Sequence, residues 1–178
     1  VPLWRPVIAI LGAATMILGG WRALRQDDLK LLLAYGTVSQ LGFIILLVGL
    51  GTQAAAQAGL AMLLAHALFK ATLFLSVGVI DHSTGTRDLT KLSGLARRMP
   101  VLAVIAGLAA ASMAGIPPLF GFLSKEAALD ALIKLLGSGG DGTGFLPAAA
   151  ALLVAAVVVG SMLTVAYSLR WWWGAFGI

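Results

Sequence analysis

The chain has 178 residues, 12 Lys and Arg against 7 Asp and Glu, a net charge of +5, 22 glycines and no cysteine, and 60% of it is hydrophobic. Soluble domains carry about 25% charged residues. At 11% charged this chain cannot clothe a globular surface, which excludes a soluble enzyme, a disordered tail and a disulfide-rich secreted module and leaves a polytopic membrane protein.

Five apolar stretches follow in order, at about 6–24, 29–50, 58–80, 101–136 and 146–169. Each unbroken stretch is near the ~20 residues that span a bilayer as a helix, and none alternates as a membrane strand does. Arg22, Arg25, Asp27 and Asp28 close the first stretch. The second carries Lys30, Thr37, Ser39 and Gln40. The third contains His66 and, near its middle, Lys70. A polar loop at 81–100 holds Arg87, Lys91, Arg97 and Arg98. The fourth stretch is interrupted at Gly115-Ile116-Pro117-Pro118 and resumes through Lys125. A proline pair blocks a continuous helix, and broken helices at membrane depth need protein or a wet cavity around the freed backbone groups. The run from Gly137 to Gly142 reads as a linker, without the Lys-Ser/Thr ending of a phosphate loop.

The expected fold class is therefore an all-α membrane protein of five transmembrane helices in a single domain, 1–178, with the fourth helix broken at Pro117-Pro118. Counting that helix as one crossing gathers Arg22, Arg25, Arg87, Lys91, Arg97, Arg98 and Arg170 on one side. The positive-inside rule makes that side, with the 81–100 loop, cytoplasmic, and Trp171–Trp173 beside Arg170 reads as an interfacial belt. No aromatic-basic patch suggests nucleic acid. The chain starts at Val1-Pro2 without an initiator Met or signal-peptide pattern and is expected to be an internal piece of a longer chain.

Charge inside hydrocarbon is the informative signal. An ionisable group at the bilayer centre costs about 2.5–3.5 kcal/mol on insertion scales. Lys70 lies too deep to snorkel out, so it is expected to face the bundle interior. An amine there that still binds and releases H⁺ is a workable proton carrier. His66, four residues earlier, shares its helix face. The bland alternative for His66 is a hydrogen bond to a neighbouring helix. Lys125 follows the broken segment while the sequence is still apolar, a transporter-like feature. Glu126, Asp130 and Lys134 read instead as a solvated tail, with Asp130 and Lys134 a favourable i,i+4 pair. Lys30 reads on its own as an interfacial charge. Thr37, Ser39 and Gln40 either join helices or line a wet path, and joining is the commoner role. With no cysteine and no partners for His82, neither a cofactor nor a metal site is expected.

These residues also carry a resemblance. Asp28-Leu29-Lys30-Leu31-Leu32-Leu33-Ala34-Tyr35-Gly36-Thr37-Val38-Ser39-Gln40-Leu41-Gly42 resembles the DLKRLLAYSTISQLG signature of the proton-conducting antiporter-like subunits, found in respiratory complex I, membrane hydrogenases and Mrp-type Na⁺/H⁺ antiporters. His66-Ala67-Leu68-Phe69-Lys70-Ala71 resembles their HAxFKA helix, and Gly115 to Glu126 their GxPPxxGFxSKE broken helix. Asp81-His82-Ser83-Thr84-Gly85-Thr86-Arg87-Asp88 is most similar to the DHxTGTRD loop of the large A-type subunits of the Mrp antiporters.

The resemblance implies a bundle of about fourteen helices built from two inverted repeats, of which this chain is the second. It implies a proton pathway through Lys70, Lys125, His66 and Lys30, in a multi-pass protein of the inner cell membrane. Its implied partners are the other members of a multisubunit antiporter, lipid, protons and Na⁺. The family's Glu–Lys pair belongs to the first repeat, and Met62 stands where a second histidine often sits. Two other readings stay open: a proton-pumping arm of a complex I-like oxidoreductase or membrane hydrogenase, and a non-conducting structural subunit whose Lys70 is permanently paired with a carboxylate.

Overall fold

The computed structural model describes residues 4–137 and 147–177. Most of the glycine-rich linker, with Asp141, lies outside these. Seven helices follow in chain order: α1 (Trp4–Leu24), α2 (Leu29–Gly49), α3 (Gln53–Thr84), α4 (Leu95–Arg98), α5 (Pro100–Ala114), α6 (Phe120–Gly137) and α7 (Pro147–Phe176). No strand occurs among the described residues, only an isolated bridge between Asp28 and Asp88. Four helices, α1, α2, α3 and α7, are long and apolar enough to cross a membrane, and α5 is a shorter apolar helix.

Local chemistry sets the helix ends. The Asp28 carboxylate accepts from the amides of Lys30 (2.7 Å) and Leu31 (3.0 Å), an N-cap worth about 1 kcal/mol. Thr52 caps α3 through the Ala55 amide, so the helix begins at Gln53, in the alanine-rich lead-in before the apolar run. It continues past Ile80 until Gly85 takes a left-handed conformation, φ 71°. Pro100 opens α5, where a missing N–H costs nothing. Gly115, at φ 89°, closes it ahead of the proline pair.

The α1–α2 seam is the most extensive helix pair. A methyl group at Gly12 would stand 2.5 Å from the Leu46 amide nitrogen, and one at Gly42 the same distance from that of Met16. The backbones meet only because both positions lack a side chain, the small-residue packing that joins helices in lipid, where apolar burial gives no drive. α3 packs on α2, α5 and α6, while α7 lies against α1, α2, α5 and α6. Leu60, Leu75, Val101 and Leu152 stand outward, each about 70% exposed, a surface suited to hydrocarbon or further helices and not to water.

At the basic end, the loop after α3 clasps the α1–α2 turn. Leu29 N donates to Arg87 O (2.9 Å) and Leu89 N to Asp27 O (2.8 Å). Arg87 also pairs with Asp28 and Asp81. The Thr90 hydroxyl and amide hold the Asp88 carboxyl below the usual carboxylate range. Arg170 bonds Leu24 O and Asp27, tying α7 to the same turn. The tryptophan run departs from the expected belt. α7 continues through it, so its three rings point in different directions. Trp171 is fully buried, Trp172 donates to Ala103 O (3.0 Å), and only Trp173 faces outward.

Candidate functional site

Lys70 lies near the middle of α3, 5% exposed, and His66 sits one turn away on the same face, 7% exposed. The Lys70 amine donates to the Leu33 carbonyl of α2 at 2.8 Å. That oxygen also accepts the Thr37 hydroxyl at 3.0 Å. Gly36 makes room for the amine. A methyl there would stand 2.9 Å from Lys70 Nζ and 3.2 Å from the Tyr167 ring. No ion pair among the described residues includes Lys70. A hydrogen bond from a charged donor contributes about 1.5–3 kcal/mol, and this carbonyl is the one hydrogen-bond acceptor shown for the amine among the described residues.

The His66 ring meets Phe69 edge-on, centroids 5.4 Å apart, and its buried Nδ1 has no hydrogen-bond partner. A bare buried nitrogen costs about 1–3 kcal/mol, the kind of site that ordered water occupies.

Behind Lys70 a second polar group crosses from α2 to α7. Gln40 Nε2 donates to Thr164 Oγ1 (3.1 Å) and to Tyr167 Oη (3.2 Å), and Gln40 Oε1 is buried without a partner. Ser39 donates to Met16 O (2.7 Å), across the α1–α2 seam. Ser168 donates to Thr164 O (2.6 Å). Every one of these side chains is at most 2% exposed. Sequence reasoning named Ser39 and Gln40 but missed their partners. The available signal was the polar stripe Thr164, Tyr167, Ser168, at i, i+3 and i+4 on an otherwise apolar helix.

Lys125 sits on α6, where the fourth stretch re-forms. Its amine donates to Ala114 O at 3.0 Å. The prolines explain why that oxygen is free. The backbone donors three and four residues after Ala114 fall on Pro117 and Pro118, which have no N–H. It is also among the last carbonyls of α5, the negative end of that helix, which favours a cation. A cavity of about 450 Å³ opens beside it, lined by Phe43, Lys125, Glu126, Ser161 and Met162 among others.

Lys30 stands apart. Its side chain is exposed at the start of α2, while its backbone amide serves the Asp28 cap. Glu126 and Asp130 are exposed as well, and Asp130 pairs with Lys134 at 2.6 Å. Among the described residues, no group of three or more His, Cys, Asp or Glu is placed to hold a metal.

Long apolar helices around a buried lysine, with a second lysine on a carbonyl freed by a broken helix, define an integral membrane protein. The chain belongs to the family described as NADH:quinone oxidoreductase/Mrp antiporter, transmembrane, which matches residues 1–137. It is similar to the A/B subunit of the probable K(+)/H(+) antiporter of Rhizobium meliloti (strain 1021), with 49% identity over 123 residues, 69% of this chain and 12% of that protein. It is 43% identical over 143 residues to the A subunit of the Na(+)/H(+) antiporter of Bacillus subtilis (strain 168), covering 74% of this chain and 18% of that protein. A chain in the structure of the Mrp complex from Dietzia sp. DQ12-45-1b matches with a TM-score of 0.88 and 44% identity, over 99% of this chain and 19% of that one. The chain thus spans less than one fifth of the length of each of these relatives.

Proposed function

We propose that this chain forms a proton-translocating half-channel within a multisubunit cation/proton antiporter of the inner membrane, with its 81–100 loop on the cytoplasmic side. Protons pass between the His66–Lys70 pair at mid-membrane and Lys125 at the helix break, with Lys30 at the cytoplasmic mouth. The observation that carries this reading is the Lys70 amine, sealed among helices and held by a main-chain carbonyl at 2.8 Å, with no carboxylate among the described residues in an ion pair with it. A purely structural lysine at that depth is better served by a permanent counter-ion. Each lysine carries its charge in a low-dielectric interior, so charging one disfavours charging its neighbour, and that repulsion couples proton entry to proton exit.

Sodium is the exchanged cation we propose, on the likeness to the Bacillus subtilis protein, which is named for Na(+)/H(+) exchange. The Rhizobium meliloti relative, named for K(+)/H(+) exchange, makes potassium the direct competitor. A proton-pumping arm of a complex I-like oxidoreductase is the second reading, favoured by the other half of the family's description.

The test is Lys70→Ala in the full-length protein within its complex, assayed in everted membrane vesicles. Cation-driven pH change should fall to background with Na⁺, and the unsubstituted protein should respond to Na⁺ more than to K⁺. Wild-type exchange in the variant overturns the pathway. A response to NADH oxidation and to neither cation selects the second reading.

A further inference from the structure

The geometry points to a seat for one anionic phospholipid along the seam of α5 and α7, with its phosphate on Arg97 and Arg98 and an acyl chain in the groove below them. This inference is independent of the proton pathway. Two apolar cavities lie end to end along the seam. One, of about 430 Å³, starts at Ala96 and Pro100, and the other, of about 230 Å³, reaches Ile116. Gly107 and Trp172 line both, so the two form one groove. The 15 residues of α5 rise through about 22 Å. One leaflet of hydrocarbon is about 15 Å deep, half of the bilayer core. The groove is long enough for an acyl chain that enters at its Ala96 end.

Small residues open the groove. Ala103, Gly107, Ala110 and Ala111 leave the α5 side nearly bare. A methyl at Gly107 would stand 3.0 Å from Trp172 Nε1, so the indole lies directly on the helix. Its N–H is spent on Ala103 O, which leaves the ring as an apolar wall. Ser168 is the one hydroxyl in the lining, and it already donates to Thr164 O at 2.6 Å. A groove with no free side-chain donor suits a hydrocarbon tail. Its head end is the opposite. Between Ala96 and Pro100, which line the groove, come Arg97 and Arg98, both exposed. Arg87, Lys91 and Arg170 at the same basic end each pair with an aspartate. No carboxylate among the described residues pairs with Arg97 or Arg98. Two guanidinium groups without a counter-ion, at the mouth of a hydrocarbon groove, complement a phosphodiester, whose oxygens match their paired N–H donors. A further helix laid in the groove would cover its apolar part and leave both charges unmatched.

The experiment is native mass spectrometry of the full-length protein in its assembled complex, stripped of lipid and titrated with dioleoyl phosphatidylglycerol or dioleoyl phosphatidylcholine. The parent should hold phosphatidylglycerol more tightly than phosphatidylcholine. In the double variant Arg97→Gln, Arg98→Gln, one phosphatidylglycerol should bind about 30-fold more weakly, the loss of two cations at the membrane surface, with phosphatidylcholine binding unchanged. Ala111→Leu fills the floor of the groove and leaves both arginines in place. It should lose that same molecule, so that the triple variant retains no fewer lipids than Ala111→Leu. Parental binding in the double variant overturns the headgroup site. Parental binding in Ala111→Leu overturns the groove as the seat of the chain. A parent that shows no preference for phosphatidylglycerol overturns the proposal and gives the groove to another helix of the assembly. Should Ala111→Leu fail to assemble, the exposed arginines decide alone, a 30-fold loss supporting the site and parental binding overturning it.

Discussion

The buried Lys70 and the half-buried Lys125 solve the same problem with different backbones. Lys70 borrows the Leu33 carbonyl, just over one turn into the intact helix α2, an oxygen that already accepts the Thr37 hydroxyl. Lys125 takes the carbonyl of Ala114, one that no amide reaches, because the next two possible donors are prolines. The first amine is enclosed by α2, α3 and α7, and the second lies against a cavity of about 450 Å³. One site is packed and polar-networked, while the other is roomy and sits at a helix end. An intact helix offers a cation only a shared acceptor, whereas a broken one offers an unshared acceptor together with the negative end of its dipole.

The largest expected effect comes from removing either amine. Lys70→Met and Lys125→Met in the full-length protein should each lower exchange by about 100-fold or more, the range for losing a proton-transfer group, with complex assembly retained on native gels. Parental exchange in Lys125→Met alone would break the comparison and leave a single working centre. Pro118→Ala comes next. It restores a backbone N–H four residues after Ala114, where a continued helix brings an amide to that oxygen in competition with Lys125. Exchange should drop about tenfold, the equivalent of one redirected hydrogen bond, while the Lys70 site is untouched. The double variant with Lys70→Met should be no slower than Lys70→Met. Smaller still is Gly36→Ala. The added methyl presses on the flexible end of Lys70, so the cost is about 1 kcal/mol, the low end for overpacking, read as a several-fold slower exchange with Lys125 unaffected. The smallest is Asp28→Ala, which removes the α2 cap and the Arg87 partner. The thermal midpoint should fall by the equivalent of about 1 kcal/mol, with exchange per assembled complex unchanged. A loss of exchange there would give the Asp28 carboxylate itself a share in conduction.

How much was legible follows from the physics of each signal. Lys70, His66 and the break before Lys125 were visible because a charge or a proline pair inside an apolar run is costly and needs a reason. Their burial and the two-helix form of the fourth stretch are what the structure displays. Thr164 and Ser168 were passed over because a Ser or Thr hydroxyl in a helix ordinarily bonds its own backbone one turn back, and Tyr167 because a lone tyrosine in an apolar helix gives no periodic signal. Only their three-dimensional meeting with Gln40 marks them out. The clasp between Asp27–Leu29 and Arg87–Leu89 joins segments nearly sixty residues apart, which no periodicity encodes. It gives Asp28 a capping duty that its place in a motif could not distinguish from a role in conduction. The tryptophans were misread as a belt because membrane tryptophans usually mark an interface. On a helix that runs on to Phe176, successive rings are turned about 100° apart, and Trp171 is carried into the core.

Proline's missing proton has one last effect at the Ala114 oxygen. When the Lys125 amine swings away, nothing in the main chain reclaims that acceptor, and a naked carbonyl in oil costs several kcal/mol. Only a water from the adjoining cavity is on hand to take the vacated place. Were the amine to leave, the place it vacates on that oxygen would fall to solvent from the cavity.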